Sequence, residues 1–324
     1  MSVEINTVTG TISPDRLGRT LMHEHVLIGF PGWQTDTLNP GAPRDEMLAV
    51  CRDRIGDMQG EGIGAMIDPC PSDLGRDVEF MATLSAKTGF PIICATGLYK
   101  ETDGAAPYWK MRGYSGNLAQ MMAEVFIAEL TEGIGETGVR AGIIKVATGY
   151  NRITDYERQV LEAAAIASIE TGAPITTHTD DGKLGDEQQA ILTGHGVEPH
   201  RIEIGHSCGT DDHAYHMGIV DGGSYLGFDR FGIEAMVPDD TRVAALLKLL
   251  GAGAASRVMV SHDSVWCWRG QGMSNAPSIW EPTHFTKRIL PKLRSGGASD
   301  EQIDQMLIEN PRRFFAGDPL PELD

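Results

Sequence analysis

The sequence predicts a (β/α)8 barrel, on three observations. Eight short runs rich in β-branched residues alternate with longer amphipathic runs over roughly 300 residues. Several of the amphipathic runs close on glycine, as helix C-termini commonly do. Polar residues fall at the C-terminal ends of five of the eight short runs, where a barrel of this kind carries its active site.

The strand runs are, in order, "TLMHEHV" (20–26), "GAMIDP" (64–69), "PIICATG" (91–97), "AGIIKVAT" (141–148), "PITTHT" (174–179), "RIEIGHS" (201–207), "SYLGFD" (224–229) and "RVMVSHD" (257–263). Helical segments between them include "RDEMLAVCRDRIGDMQGEG", "NLAQMMAEVFIAELTEG", "TDYERQVLEAAAIASIETG" and "DDTRVAALLKLLGAG". "TDYE" at 154–157 has the Thr-x-x-Glu spacing of a capping box. The competing arrangement is an open doubly wound sheet, but no G-x-G-x-x-G follows the first strand to support its dinucleotide-binding form. No repeat, low-complexity tract or linker divides the chain, so residues 1–324 are expected to form a single barrel domain. The longest irregular stretch, 264–282, has a length that usually signals a functional loop.

The composition is 41% apolar and 22% charged, ordinary for a globular protein with an adequate core. A net charge of −18 argues against nucleic acid or an anionic membrane as partner and does not repel metal cations. The start, "MSVEINTVTGTISPDRLG", has no basic segment followed by an apolar one, and no run is long enough to span a membrane. The five cysteines include no C-x-x-C pair, so reduced, mostly buried thiols and a cytoplasmic location are expected.

In an extended "MHEHV", His23 and His25 point to one face and Glu24 to the other. Taken alone, the two could be ordinary buried histidines or a ligand pair for a divalent metal. The other strand ends favour the second reading. Lys145, His178, His206 and Asp263 converge on the same barrel mouth, whereas His262 alternates away from it. His213 and His216, at i and i+3 without a third ligand, are expected on a solvated helix face. Lys145 would be an odd ligand as an ammonium. Burial and nearby cations lower a lysine pKa, and a neutral amine adds carbon dioxide to give a carbamate with two oxygens, able to bridge two metals. A lysine reaching the barrel rim to meet a carboxylate is the alternative.

"GRTLMHEHV", "AGIIKVAT", "ITTHTD", "IEIGHS" and "MVSHD" resemble, in order and in strand context, the motifs of the phosphotriesterase family of the amidohydrolase superfamily. The resemblance spans the chain. It implies a binuclear metal centre with His23, His25 and Asp263 on the more buried ion, His178 and His206 on the exposed one, and N6-carboxylysine at Lys145 bridging them together with a hydroxide. Zinc is the first choice of ion, with iron, cobalt or manganese as alternatives, and a homodimer is implied. Asp263 would also accept a proton during hydrolysis.

Tyr99 in "ATGLYKE" and Asp229, Arg230 and Phe231 in "LGFDRFG" are similar to elements of the phosphotriesterase-like lactonases. That resemblance implies a tyrosine reaching toward a lactone ring and an arginine supporting the site. Packing on a neighbouring loop (Tyr99) or an ion pair with a loop carboxylate (Arg230) are the structural alternatives. Trp266, Trp268, Met273 and Ile279 make the 264–282 loop apolar enough to receive an acyl chain. They could equally cover the barrel end. The expected activity is hydrolysis of lactones, including the N-acyl homoserine lactones of quorum quenching, with promiscuous phosphotriester hydrolysis. A dedicated organophosphate (aryldialkylphosphate) hydrolase is the alternative, and a non-catalytic binding barrel a remote one, since no ligand is missing.

Overall fold

The computed structural model describes residues 3–272 and 281–323. An antiparallel hairpin, β1 (Ile5–Thr7) and β2 (Gly10–Ile12), opens the chain. The barrel strands are β3 (Arg19–Leu21) with its continuation β4 (Glu24–His25), then β5 (Ile63–Asp68), β6 (Ile92–Leu98), β7 (Ile143–Val146), β8 (Ile175–Thr176), β9 (Ile202–Ile204), β10 (Tyr225–Phe228) and β11 (Val258–Val260). All eight run parallel, each beside its neighbour in the sequence of strands. The sheet closes where β12 (Ser264–Val265) pairs with β4, setting Ser264 opposite Glu24 and Val265 opposite His25. The barrel predicted from the eight runs is the fold found.

Helices cover the sheet: α1 (Arg44–Gly60), α2 (Val78–Thr88), α3 (Ala106–Gly113), α4 (Leu118–Thr131), α5 (Asp155–Thr171), α6 (Gly185–Gly194), α7 (His213–Asp221) and α8 (Asp239–Gly251). After the final strand come α9 (Leu290–Ser295), α10 (Asp300–Asp304) and α11 (Asn310–Ala316). The "TDYE" signal is realised at α5. Thr154 Oγ1 accepts from Glu157 N at 3.2 Å, and Glu157 Oε2 accepts from Thr154 N at 2.9 Å. Gly172, at φ +74°, ends that helix in the left-handed conformation glycine tolerates.

Two apolar layers follow from strand alternation. Met22, Ala65, Ile67, Ile93, Ala95, Ile143, Tyr225 and Met259 fill the barrel interior, and Leu17, Phe314 and Phe315 plug its N-terminal end. The outward residues of the same strands pack beneath the helices. Above the interior layer the barrel turns polar. Gly97 is needed there: a Cβ at its φ of +120° would sit 1.8 Å from the Lys145 carbonyl oxygen, so only glycine lets β6 approach β7.

The strands are shorter than the runs that predicted them. Residues 201–207 are paired only to Ile204 and residues 257–263 only to Val260, because His206 (φ +59°) and Asp263 (φ +53°) adopt left-handed backbone conformations. Non-glycine residues in that region are strained and cluster at functional sites. Among the described residues, no helix is long and apolar enough to cross a membrane.

Candidate metal centre and active site

The barrel mouth brings together every polar residue expected there. His23, His25, Lys145, His178 and His206 are buried, and with Tyr99, Arg230 and Asp263 they line one cavity of about 490 Å³. That is within the ordinary range for a small-molecule site. A second cavity, of about 500 Å³, lies at the other end of the barrel beside Asn6, Pro174, Arg201 and Phe315. No cluster of three or more candidate metal ligands falls there among the described residues.

Three imidazoles are aimed by carboxylates behind them. His23 Nδ1 lies 3.1 Å from Asp229 Oδ2, His206 Nδ1 2.9 Å from Asp229 Oδ1, and His25 Nδ1 3.1 Å from Asp68 Oδ1. An ionised carboxylate only accepts, so each Nδ1 carries a proton; in His23 and His206, whose pKa values burial lowers, Nε2 then keeps its lone pair for the cavity. The three Nε2 atoms converge on Asp263: 3.4 Å from His23 and 3.3 Å from His25 to Oδ1, and 3.8 Å from His206 to Oδ2. Asp229 fits because Gly227 has no side chain; a Cβ there would sit 2.8 Å from Asp229 Oδ2. Behind β4, the buried Glu24 accepts from Ser261 Oγ at 2.7 Å and from His262 N at 3.0 Å. His262 points away from the cavity as alternation required, its Nδ1 2.6 Å from Glu24 Oε1 and its Nε2 accepting from Phe285 N at 2.8 Å.

Lys145 is 2% exposed and does not reach the rim. Its Nζ donates to the Thr177 carbonyl at 3.0 Å and lies 3.4 Å from His23 Nε2. Burial, only partly opposed by Asp263 and Asp229, pushes its pKa down to about 8, which makes the neutral amine accessible. His178 closes the ring from the opposite wall. Its Nε2 lies 2.9 Å from Asp180 Oδ1, and Lys100 Nζ holds Asp180 at 2.9 Å. Burial pushes His178 down to about 3 and also lowers His206, so both are neutral, the form that ligates. At His25, burial is outweighed by hydrogen bonds to Asp263 and Asp68, which raise it to about 9. For Asp263, burial is outweighed by His206, His23 and Arg230, which hold it well below the usual carboxylate range.

These residues fit a metal centre. Convergent imidazole Nε2 atoms, a shared carboxylate and Nδ1 atoms held by outer carboxylates are the donor set and support that divalent metals use. His23, His25 and Asp263 lie close enough together to hold one ion.

Tyr99 and Arg230 stand over the centre. Tyr99 Oη is 3.4 Å from His178 Nε2, and Arg230 Nε donates to Asp263 Oδ2 at 2.9 Å. The carboxylate paired with Arg230 is therefore the central aspartate and not one on a loop.

Four expectations need correction or restriction. Trp266 does not line the cavity. Since Val265 faces inward, alternation turns Trp266 into the apolar layer under the helices, where Nε1 donates to Ser264 Oγ at 2.8 Å. Trp268 does not line it either; its ring stacks on Phe30 at 6.4 Å, beside a separate cavity shared with Trp33. Met273 and Ile279 lie outside the described residues. His216 is not on a solvated face: α7 buries it completely beside Ile219 and Val220, with Nε2 2.8 Å from the Ser207 carbonyl. The cavity's apolar wall comes instead from Ile28, Phe30, Leu74, Ile233, Met236 and Val265.

Sequence reasoning did not assign the orienting carboxylates Asp68, Asp180 and Asp229. Asp68 left one usable signal, an acidic residue ending an apolar strand run.

Fold and site together define a barrel hydrolase with a cluster of candidate metal ligands at the C-terminal ends of its strands. The chain matches the phosphotriesterase family over residues 3–315 and belongs to that family. It is 34% identical over 318 residues to the "Phosphotriesterase homology protein" of Mycobacterium tuberculosis, covering 96% of this chain and 97% of that one. A solved structure, "Organophosphorus Hydrolase from Deinococcus radiodurans", superposes with a TM-score of 0.93 at 40% identity, covering 97% of both chains. A mutant described as a "Deinococcus radiodurans PTE-like lactonase" superposes with a TM-score of 0.92 at 40% identity, covering 96% of this chain and 99% of that one.

Proposed function

We propose that this enzyme hydrolyses lactones, including N-acyl homoserine lactones, and phosphotriesters as secondary substrates, at a binuclear metal centre bridged by carbamylated Lys145. The observation that carries the reading is the convergence of three Nε2 atoms on Asp263 beside a buried lysine, at the floor of a cavity with Tyr99 and Arg230 above. His23, His25 and Asp263 would hold one ion and His178 and His206 the other, with the Lys145 carbamate between. Zinc is the first choice for this donor set. When bound, the two ions acidify water and polarise the substrate's carbonyl or phosphoryl oxygen.

The chain's own groups do the rest. Asp263, ionised in this setting, takes the proton released as water adds to the substrate. Arg230 fixes the Asp263 carboxylate through its 2.9 Å bond. Tyr99 presents a phenol whose pKa is raised by burial, so it stays a donor and can bond the ring oxygen of a lactone. Ile28, Phe30, Leu74 and Met236 offer an apolar wall for an acyl chain, at up to about 0.8 kcal/mol per buried methylene. A homodimeric, cytoplasmic enzyme of one barrel domain completes the proposal; the five free thiols suit a reducing compartment.

The test is a side-by-side comparison of kcat/KM on acyl homoserine lactones, aliphatic lactones and paraoxon. With Tyr99→Phe, lactonase kcat/KM should fall about 10-fold, the worth of one good hydrogen bond, while paraoxon hydrolysis changes little. Equal losses on both substrates, or a wild-type preference for paraoxon, would favour a dedicated organophosphate hydrolase.

A further inference from the structure

Behind the site, where the barrel closes, two thiols face each other. Cys51 lies on the inner side of α1 and is fully buried; Cys267 follows β12 and is 7% exposed. Their Sγ atoms are 3.7 Å apart, although 216 positions separate them in the sequence. Cys51 Sγ also lies 3.5 Å from the carbonyl of Val26, which follows β4 beside β12, and Cys267 Sγ 3.8 Å from the Met47 carbonyl of α1, so both thiols sit in the contact between α1 and the seam. The remaining cysteines, Cys70, Cys94 and Cys208, have no such thiol neighbour among the described residues.

We propose that Cys51 and Cys267 are a reversible oxidation site that closes to a disulfide under peroxide and fastens α1 to the seam of the barrel. Cys267 is the residue to react first, being the more exposed of the two. The contact with Cys51 also holds the Cys267 thiol below its ordinary pKa, while the same contact and burial push Cys51 up. The Cys267 thiolate attacks one peroxide oxygen, the O–O bond breaks, and a sulfenic acid and water form after protonation. The Cys51 sulfur then attacks the sulfenic sulfur, the S–O bond breaks, a second water leaves, and the S–S bond forms. Two thiols are oxidised and one hydrogen peroxide is reduced to two waters. Closure requires the sulfurs to move from 3.7 Å to about 2.05 Å.

The location gives the bond a consequence. The seam is a short ladder: β4 pairs with β12, Trp266 N donates to the His25 carbonyl at 2.9 Å, and Ile28 N donates to the Cys267 carbonyl at 3.2 Å. A covalent tie at this level braces the segment that carries His25 on one side and Val265 on the other. It also closes a very long loop, which removes much freedom from the unfolded chain. Neither cysteine lines the catalytic cavity, so the site is separate from the hydrolytic one.

The metal-loaded enzyme, treated with hydrogen peroxide and then denatured, should fall from five titratable thiols to three and regain five with dithiothreitol. Non-reducing peptide mapping should recover one linked pair, Cys51 with Cys267. The oxidised wild type should melt roughly 3–10 °C higher, and Cys51→Ser and Cys267→Ser should not. In Cys51→Ser a 1,3-dione probe should label Cys267, whose sulfenic acid then lacks a partner. Five surviving thiols, a linkage involving any other cysteine, or Cys267 oxidised singly in the wild type would each overturn the proposal. The peptide map of the wild type decides the matter even if a serine variant does not fold.

Discussion

Replacing Asp263 by asparagine is expected to lower kcat by about 10³-fold, with little change in KM and no loss of fold, because a group that accepts a proton in the transition state contributes on that scale. The expectation follows from position. Among the described residues, Asp263 is the one within reach of three histidine Nε2 atoms and of Arg230 Nε. It stays ionised because Arg230 and the surrounding imidazoles outweigh the burial that would protonate it. Asparagine keeps the shape and the left-handed backbone preference, φ +53° here, so the substitution tests the charge and not the packing. Steady-state kinetics beside a thermal melt checks it. Equal losses in kcat and KM with a lowered melting temperature would mark Asp263 as a structural residue.

Asp229→Asn is expected to weaken metal binding by 10- to 100-fold, roughly the range measured for outer carboxylates in metal sites, although Asp229 itself need touch no metal. One carboxylate orients two imidazoles, His23 and His206, and also accepts from His206 N at 2.9 Å. Asparagine offers one acceptor oxygen and one amide, so it can hold only one of the two Nδ1–H groups. The other ring is driven to the opposite tautomer, with its proton on Nε2, where it cannot ligate. Asp68→Asn, which touches only His25 among the imidazoles, should have the smaller effect. Competition with a chromophoric chelator measures both, and unchanged affinity in Asp229→Asn would contradict the role.

Much of this was legible in the sequence. The strands announce themselves as Ile- and Val-rich runs, and the candidate ligand residues stand out because histidine, lysine and aspartate are costly in such runs unless something occupies them. Strand alternation sorts His23 and His25 from Glu24, and Asp263 from His262, and the structure agrees at each position. The same rule decides Trp266, but only once 264–269 is known to continue beside β4 as an extended segment; read as a loop, its rings have no defined direction. The shared role of Asp229 was hidden for a different reason. It depends on β10 lying between β9 and β11, so that one side chain reaches rings from the sixth strand and, across the mouth, from the first. The left-handed turns at His206 and Asp263 are likewise tertiary: histidine and aspartate tolerate that conformation better than most residues, but nothing in the run marks where the strand will leave the sheet. His216 shows the converse limit, since a histidine on a helix face carries no mark of which way that face will pack.

The central claim is a binuclear centre bridged by a modified Lys145, and a high-resolution electron-density map of the metal-loaded protein tests it most directly. The account predicts a carboxylate attached to Lys145 Nζ with a metal ion on each side, one among His23, His25 and Asp263 and the other against His178 and His206. An unmodified Lys145 ammonium in a metal-loaded crystal, paired with a carboxylate side chain, would contradict it.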